Sequence, residues 1–307
     1  MIAAYLGEVA GITTALLWAF GTLLAAKAGR HVGSNAVNEL RLAIALPLLL
    51  GAHTVVFGSP WPRGVAGEAW LHLSVSGLVG LALGDMCYFR AITLLGPRLG
   101  ALLMAAAPAM TALLAYATLG ERLSSTQVLG LVLTSTGLAL VLSDRRGRRE
   151  WNASLTTRQV VVGVVLGLLG ALGQALGNVL SRRGAAGGVL GLAPLSSVVI
   201  RMTAGTVSVL LIALVAGRFR KLIAATRVRE ARNPILLAVL FGPTCGVFLY
   251  QVAIQRSDAA IAAILVSLTP IYLIPIARIA YGSRITRTAL AGTLLAFAGT
   301  ALVLQRP

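Results

Sequence analysis

The chain has 307 residues, of which 57% are hydrophobic and 11% charged, with a formal net charge of +17 and a mean hydropathy of +0.88. An ordinary soluble domain carries roughly 25% charged residues, so this composition excludes a water-soluble globular protein and leaves a membrane protein. The positive charge does not point to nucleic acid: 24 of the 26 basic residues are Arg, many stand beside predicted helix ends, and no soluble basic domain is present to hold a duplex.

A helix that crosses the hydrocarbon core needs about 20 mostly apolar residues. Ten such segments follow one another, at residues 8–26, 36–57, 70–90, 99–119, 125–142, 160–181, 196–217, 235–254, 260–281 and 286–304. The runs are continuous and rich in Leu, Ala and Gly, which predicts helices rather than the alternating strands of a barrel. The expected fold class is therefore all-α, a polytopic membrane protein with ten transmembrane helices. The first segment has no basic residue before it and carries Glu8, so it reads as a retained helix and not a signal peptide. Cys87 and Cys245 fall inside predicted helices, where a free, buried thiol is the default.

The chain also repeats itself. An offset of 162 places Tyr88 on Tyr250, Pro108 on Pro270, Gly120 and Arg122 on Gly282 and Arg284, Gly130 on Gly292, and Gly137 on Gly299. Upstream the offset shrinks to 160, placing Arg41 on Arg201, and then to 156, placing Trp18 and Thr22 on Gln174 and Asn178. Each copy holds five helices. An odd number forces the second copy into the membrane upside down relative to the first, and inverted repeats are characteristic of secondary transporters. The expected organisation is a first repeat over 1–143, a basic linker over 144–158 and a second repeat over 159–307.

With these residues laid out, the chain resembles the EamA-type transporters of the drug/metabolite transporter superfamily over nearly its whole length. The resemblance is carried by LLWAFGTLLAAKAG in the first helix, NELRLAIAL in the second, YFRAITLLGPRLGALL in the third, and PAMTALLAYATLGERLSSTQVLGLVLTSTGLALVL in the fourth and fifth. The second half repeats the pattern more weakly, with Ser283 where the first has Glu121. The resemblance implies a ten-helix carrier of small metabolites such as amino acids or drug-like solutes, driven by gradients rather than ATP. It also implies a cavity lined by helices one, three, four, six, eight and nine.

Particular residues carry two readings each. Asp85 is the only acid in the interior of a predicted span; an ionisable group there costs a few kcal/mol, so it is a candidate for coupling to an ion, a proton among them. It could equally pair with Arg41 or Arg201 for architecture. Gln174 and Asn178 are four apart and share a face, as do Trp18 and Thr22, which makes them cavity-lining candidates against plain hydrogen bonding between helices. Tyr88, Tyr250 and Gln251 offer ring faces and polar tips suited to small organic solutes. Pro108 and Pro270, about ten residues into their helices, read as hinges or static bends. Arg41 and Arg201 read first as cations that snorkel to the interface and second as partners for a substrate carboxylate. Gly120, Glu121 and Arg122 form the hairpin between helices four and five, a structural or gating motif outside the substrate site.

Several classes of chemistry lack their residues. There is no GxxxxGK[ST], and Lys27 and Lys221 are the only lysines, so a P-loop ATPase is excluded. His31, His53 and His72 stand apart and the nine acids never cluster, which gives no support to a metal hydrolase or to a membrane enzyme acting on lipid-linked substrates. No cofactor is expected, and a non-transporting scaffold would have no need of the repeat. The expected partners are a small-molecule substrate and the lipid bilayer of a bacterial plasma membrane.

Loops after odd-numbered helices carry 15 basic residues and the opposite side 6. The positive-inside rule then puts both termini outside the cytoplasm, whereas the resemblance implies both termini inside.

Overall fold

The computed structural model of the protein describes residues 5–95, 100, 103–143, 156–186, 192–269, 271–272, 276 and 287–304. All regular structure among them is helical. In chain order the helices are α1 (Leu6–Val32), α2 (Ser34–Phe57), α3 (Gly67–Ser76), α4 (Asp85–Leu95), α5 (Ala107–Leu119), α6 (Ser125–Ser143), α7 (Thr157–Ala185), α8 (Pro194–Val215), α9 (Phe219–Thr226), α10 (Arg229–Val239), α11 (Cys245–Arg256), α12 (Ala259–Val266) and α13 (Arg287–Val303). Two π-helical stretches, Gly77–Gly84 and Leu240–Thr244, join α3 to α4 and α10 to α11 into single long rods.

Six of the described helical rods are long and apolar enough to cross a membrane: Leu6–Val32, Asn35–Phe57, Gly67–Ala91, Thr157–Ala185, Pro194–Val215 and Arg229–Arg256. Three shorter apolar helices, Ala107–Leu119, Ser125–Leu140 and Leu290–Val303, accompany them. The outer surface carries exposed Leu71, Leu113, Val55 and Val215, as a surface solvated by lipid should. Several rods run past the expected spans, 157–185 in place of 160–181 for example, because backbone hydrogen bonding continues beyond the apolar stretch that hydropathy detects. At that end Thr156 and Gln159 form a reciprocal capping box, which satisfies the first free N–H groups.

The segment expected as one helix over 99–119 is interrupted by a turn at 105–106, and α5 begins at Ala107. Sequence periodicity also missed α9, a short helix that buries Leu222 and Ala225 and exposes Phe219 and Ile223. It lies within the most basic loop of the chain.

The two halves meet along paired glycines. A Cβ on Gly130 would stand 2.6 Å from the Gly299 carbonyl oxygen, and one on Gly137 would stand 2.5 Å from that of Gly292. Under the 162-residue offset these two contacts exchange, as a two-fold axis requires. Thr134 lies on that axis, since its hydroxyl donates at 3.4 Å to the carbonyl of Ala296, its own mate 162 residues on. A second exchange joins α1 to the π turn before α11 through Gly21 and Gly242, and α7 to the π turn before α4 through Gly177 and Gly80. Absent side chains let these backbones approach.

Successive long rods run antiparallel, so the described ends sort into two sets. Leu6, Gly120, Ala185, Arg256 and Val303 lie at one end, called the terminal end here. Val32, Leu95, Ser143, Thr157 and Val215 lie at the other, the linker end.

Candidate functional site

The π turns sit where the halves cross, and each delivers a glycine against the opposite half. Beyond Gly80, Gly84 faces Gln174 of α7; the equivalent Gly246 faces the indole of Trp18 on α1. A π turn inserts one residue into the helical register and recurs at functional sites. Here the first one ends directly at Asp85, whose backbone N–H bonds back to Gly80 and Ala82.

Asp85 is half-buried. One carboxylate oxygen accepts a hydrogen bond from the Gln174 side-chain amide at 2.7 Å, and that amide also reaches the Gly80 carbonyl at 3.3 Å. The guanidinium groups of Arg41 and Arg201 both lie within electrostatic reach of Asp85. The structure therefore brings the lone interior acid together with both members of the symmetric arginine pair.

Snorkelling of those arginines is corrected. Arg201 is 1% exposed, and its Nη2 lies where Cβ atoms on Gly80 and Gly177 would come within 3.2 and 3.4 Å. Arg41 occupies the equivalent crossing beside Gly242. Each is seven residues into its helix, about 10 Å from the end at 1.5 Å per residue, and side-chain direction turns it inward rather than to the interface.

Tyr250, 4% exposed, completes the group. Its ring meets Trp18 edge-on with centroids 5.4 Å apart, its hydroxyl faces the Asn178 amide, and Arg201 lies within electrostatic reach. Tyr88 packs its backbone on Gly170 of α7 and lies beside Asp85. Gln251 points elsewhere and accepts a hydrogen bond from Ser181 at 2.7 Å. Thr22 is exposed whereas its mate Asn178 is buried, so the polar stripe is not symmetric in its surroundings. Pro108 stands in the first turn of α5, where its missing N–H costs nothing, and not deep within a continuous helix. Pro270 lies outside the described residues.

One face of α7 links this group to the terminal end. Gln174 meets Asp85, Asn178 meets Thr111 at 3.4 Å, Ser181 meets Gln251, and Arg182 meets Glu121. By sequence Arg182 is one more basic residue beside a helix end. In the fold it ties α7 to the hairpin before α6 and to α11, and through Glu121 to α12. Its Nε donates to Glu121 at 3.3 Å, and its Nη1 donates to the carbonyls of Ile254 and Gln255 at 2.7 Å each. Glu121 also accepts from the Ala259 N–H at 2.9 Å. Burial, and after it the neighbouring Asp258, push the Glu121 carboxyl up from the ordinary glutamate range against the pull of these donors. Gly120, at φ 70° and ψ 10°, caps α5 in the left-handed conformation that favours glycine. Arg122 lies over the Tyr116 ring at 6.0 Å, and Ser124 and Gln127 cap α6 reciprocally.

At the linker end a cavity of about 280 Å³ is lined by Asn35, Glu39, Arg90, Arg218 and Lys221 among others. Glu39 and Arg218 pair at 3.3 Å.

Comparison with known proteins agrees with this architecture. A solved crystal structure, described only as that of a protein, superposes with a TM-score of 0.74 at 20% sequence identity, over 97% of this chain and 96% of the other. That likeness concerns the fold alone. No curated protein sequence matches the chain. The family model of EamA-like transporters matches residues 5–143 and again 161–305. Two matches that together span nearly the entire chain, on a bundle of membrane-crossing helices joined by a two-fold seam, establish that this multi-pass membrane protein belongs to the EamA-like transporter family.

Proposed function

We propose that the protein is a secondary active transporter, an exporter of small organic metabolites such as amino acids or drug-like solutes, in a bacterial plasma membrane. Ten helices in two inverted five-helix repeats, 1–143 and 159–307 with the linker 144–158 between them, would rock about a midplane cavity. The observation that carries the reading is the placement of Asp85. An acid held in the interior of a membrane rod, at a π turn on the boundary between two-fold related halves, is what a coupling site needs. Trp18, Tyr88, Gln174, Asn178 and Tyr250 supply the surrounding wall.

The test is flux. Purified protein in liposomes should move members of a metabolite panel when a proton gradient is imposed; absence of gradient-dependent flux of every candidate, from folded protein, refutes the reading. Asp85→Asn should lower transport by about 5- to 150-fold, the usual span of a coupling between two sites, or flatten its pH dependence. Expression should be unchanged. Normal transport by the variant at every pH removes Asp85 from the coupling role.

A further inference from the structure

The charge in the central group does not balance. Among the described residues Arg41 and Arg201 face a single carboxylate, Asp85; Tyr250 lies against Arg201 and Tyr88 against Asp85. Glu39, two residues from Arg41, is already paired with Arg218 at the linker end. One positive charge is thus left over inside the bundle, where an uncompensated charge is costly. The donors are unbalanced as well. Nε of Arg41 and Nε of Arg201 are both buried without a hydrogen-bond partner among the described residues, while Asp85 is engaged by Gln174.

We infer that this site takes a small organic monocarboxylate, its carboxylate held between Arg41 and Arg201 and its apolar or aromatic body laid against Trp18 and Tyr250. Guanidinium presents its donors in a planar fork that matches a carboxylate. The glycines at 80, 177 and 242 put backbone instead of side chains beside the two forks. A surplus of one charge suits a monoanion, whereas a phosphate monoester would overshoot it. An amine is disfavoured, because two arginines outweigh the one acid. Arg90, Arg218 and Lys221 around the separate linker-end cavity outnumber Glu39, a positive field that raises the local concentration of anions at that end. The inference rests on the transporter reading for what is carried, but binding tests it separately.

The full-length protein in nanodiscs is titrated with phenylacetate and 4-methylvalerate and with their neutral primary amides, phenylacetamide and 4-methylvaleramide. Trp18 fluorescence, isolated by replacing Trp61, Trp70 and Trp151 with Phe, reports occupancy; calorimetry on the unsubstituted protein reads the same comparison. Acids should bind at least about tenfold more tightly than amides, a difference of one decade in Kd. Arg201→Gln and Arg41→Gln, each of which removes the surplus charge and one fork, should erase that preference, whereas Arg41→Lys, which keeps the charge without the fork, should retain part of it. Asp85→Asn should leave acid binding as tight or tighter, because it removes a competing carboxylate. Amides that bind as well as acids, acids that fail to bind, or weaker acid binding by Asp85→Asn would overturn the inference. Gradient-driven flux of neutral or cationic solutes without preference for acids would overturn it and leave the transporter reading standing, whereas tight acid binding with no flux of anything would do the reverse.

Discussion

Glu121 holds the terminal end together with two oxygens, one on Arg182 and one on the first N–H of α12. Because its folded pKa is raised, the stability it affects is fully present below the unfolded pKa and is lost as pH rises through the folded value. Glu121→Gln removes that dependence. Melting curves of both proteins between about pH 4 and pH 8, a range that spans the ordinary carboxylate values, should show the wild type losing ground to the variant as pH rises. A constant difference would mean that Glu121 does not titrate there. Glu121→Ala, which leaves Arg182 half-buried without its acid, should lower stability by about 1–3 kcal/mol, read as a fall in Tm. From sequence, Glu121 was recognisable as a hairpin residue. Arg182 was not, because a cation at a helix end reads as an interface anchor and its partner lies 61 residues away.

At the scale of elements, packing glycines and lipid-facing glycines should behave oppositely. Gly137→Val drives a branched side chain into the Ala296 and Gly292 backbone and should cost about 1–3 kcal/mol or more by overpacking. Gly51 sits in α2 with no atom within 4 Å of a Cβ, so Gly51→Ala should gain roughly 0.5–1 kcal/mol of helix preference. Thermal unfolding in a fixed detergent reads both signs. The long rods were legible because twenty apolar residues leave few alternatives in a bilayer. The two π turns were not, since hydropathy registers composition and is blind to which carbonyl each N–H selects. Nor was the break before α5. Pro108 fits a first helical turn as well as an interior kink, and only neighbouring structure decides between them.

Over the whole molecule, charge separates by end. Residues 218, 220, 221, 227 and 229, all Arg or Lys, flank or form α9 at the linker end, and an amphipathic basic helix there favours an anionic leaflet. A fluorescent reporter that matures only in the cytoplasm, fused after Pro307, should therefore stay dark, while one inserted in 144–155 should light. The converse pattern would show that the family's usual orientation prevails over the charge count. Family and repeat were readable in the sequence because an ungapped offset of 162 residues survives in it. The arginine pair was readable too, though its inward direction required a fold that sets Gly80 and Gly177 beside Arg201.

Thr134 touching Ala296 places a residue against its own counterpart. A surface with that property is isologous, the kind through which identical subunits form closed dimers. In geometry the chain is such a dimer with its subunits covalently joined. Separate encoding of the halves is what permits an acid at Asp85 where the second half has Val247, and at Glu121 where it has Ser283, differences that two copies of one gene product could never hold.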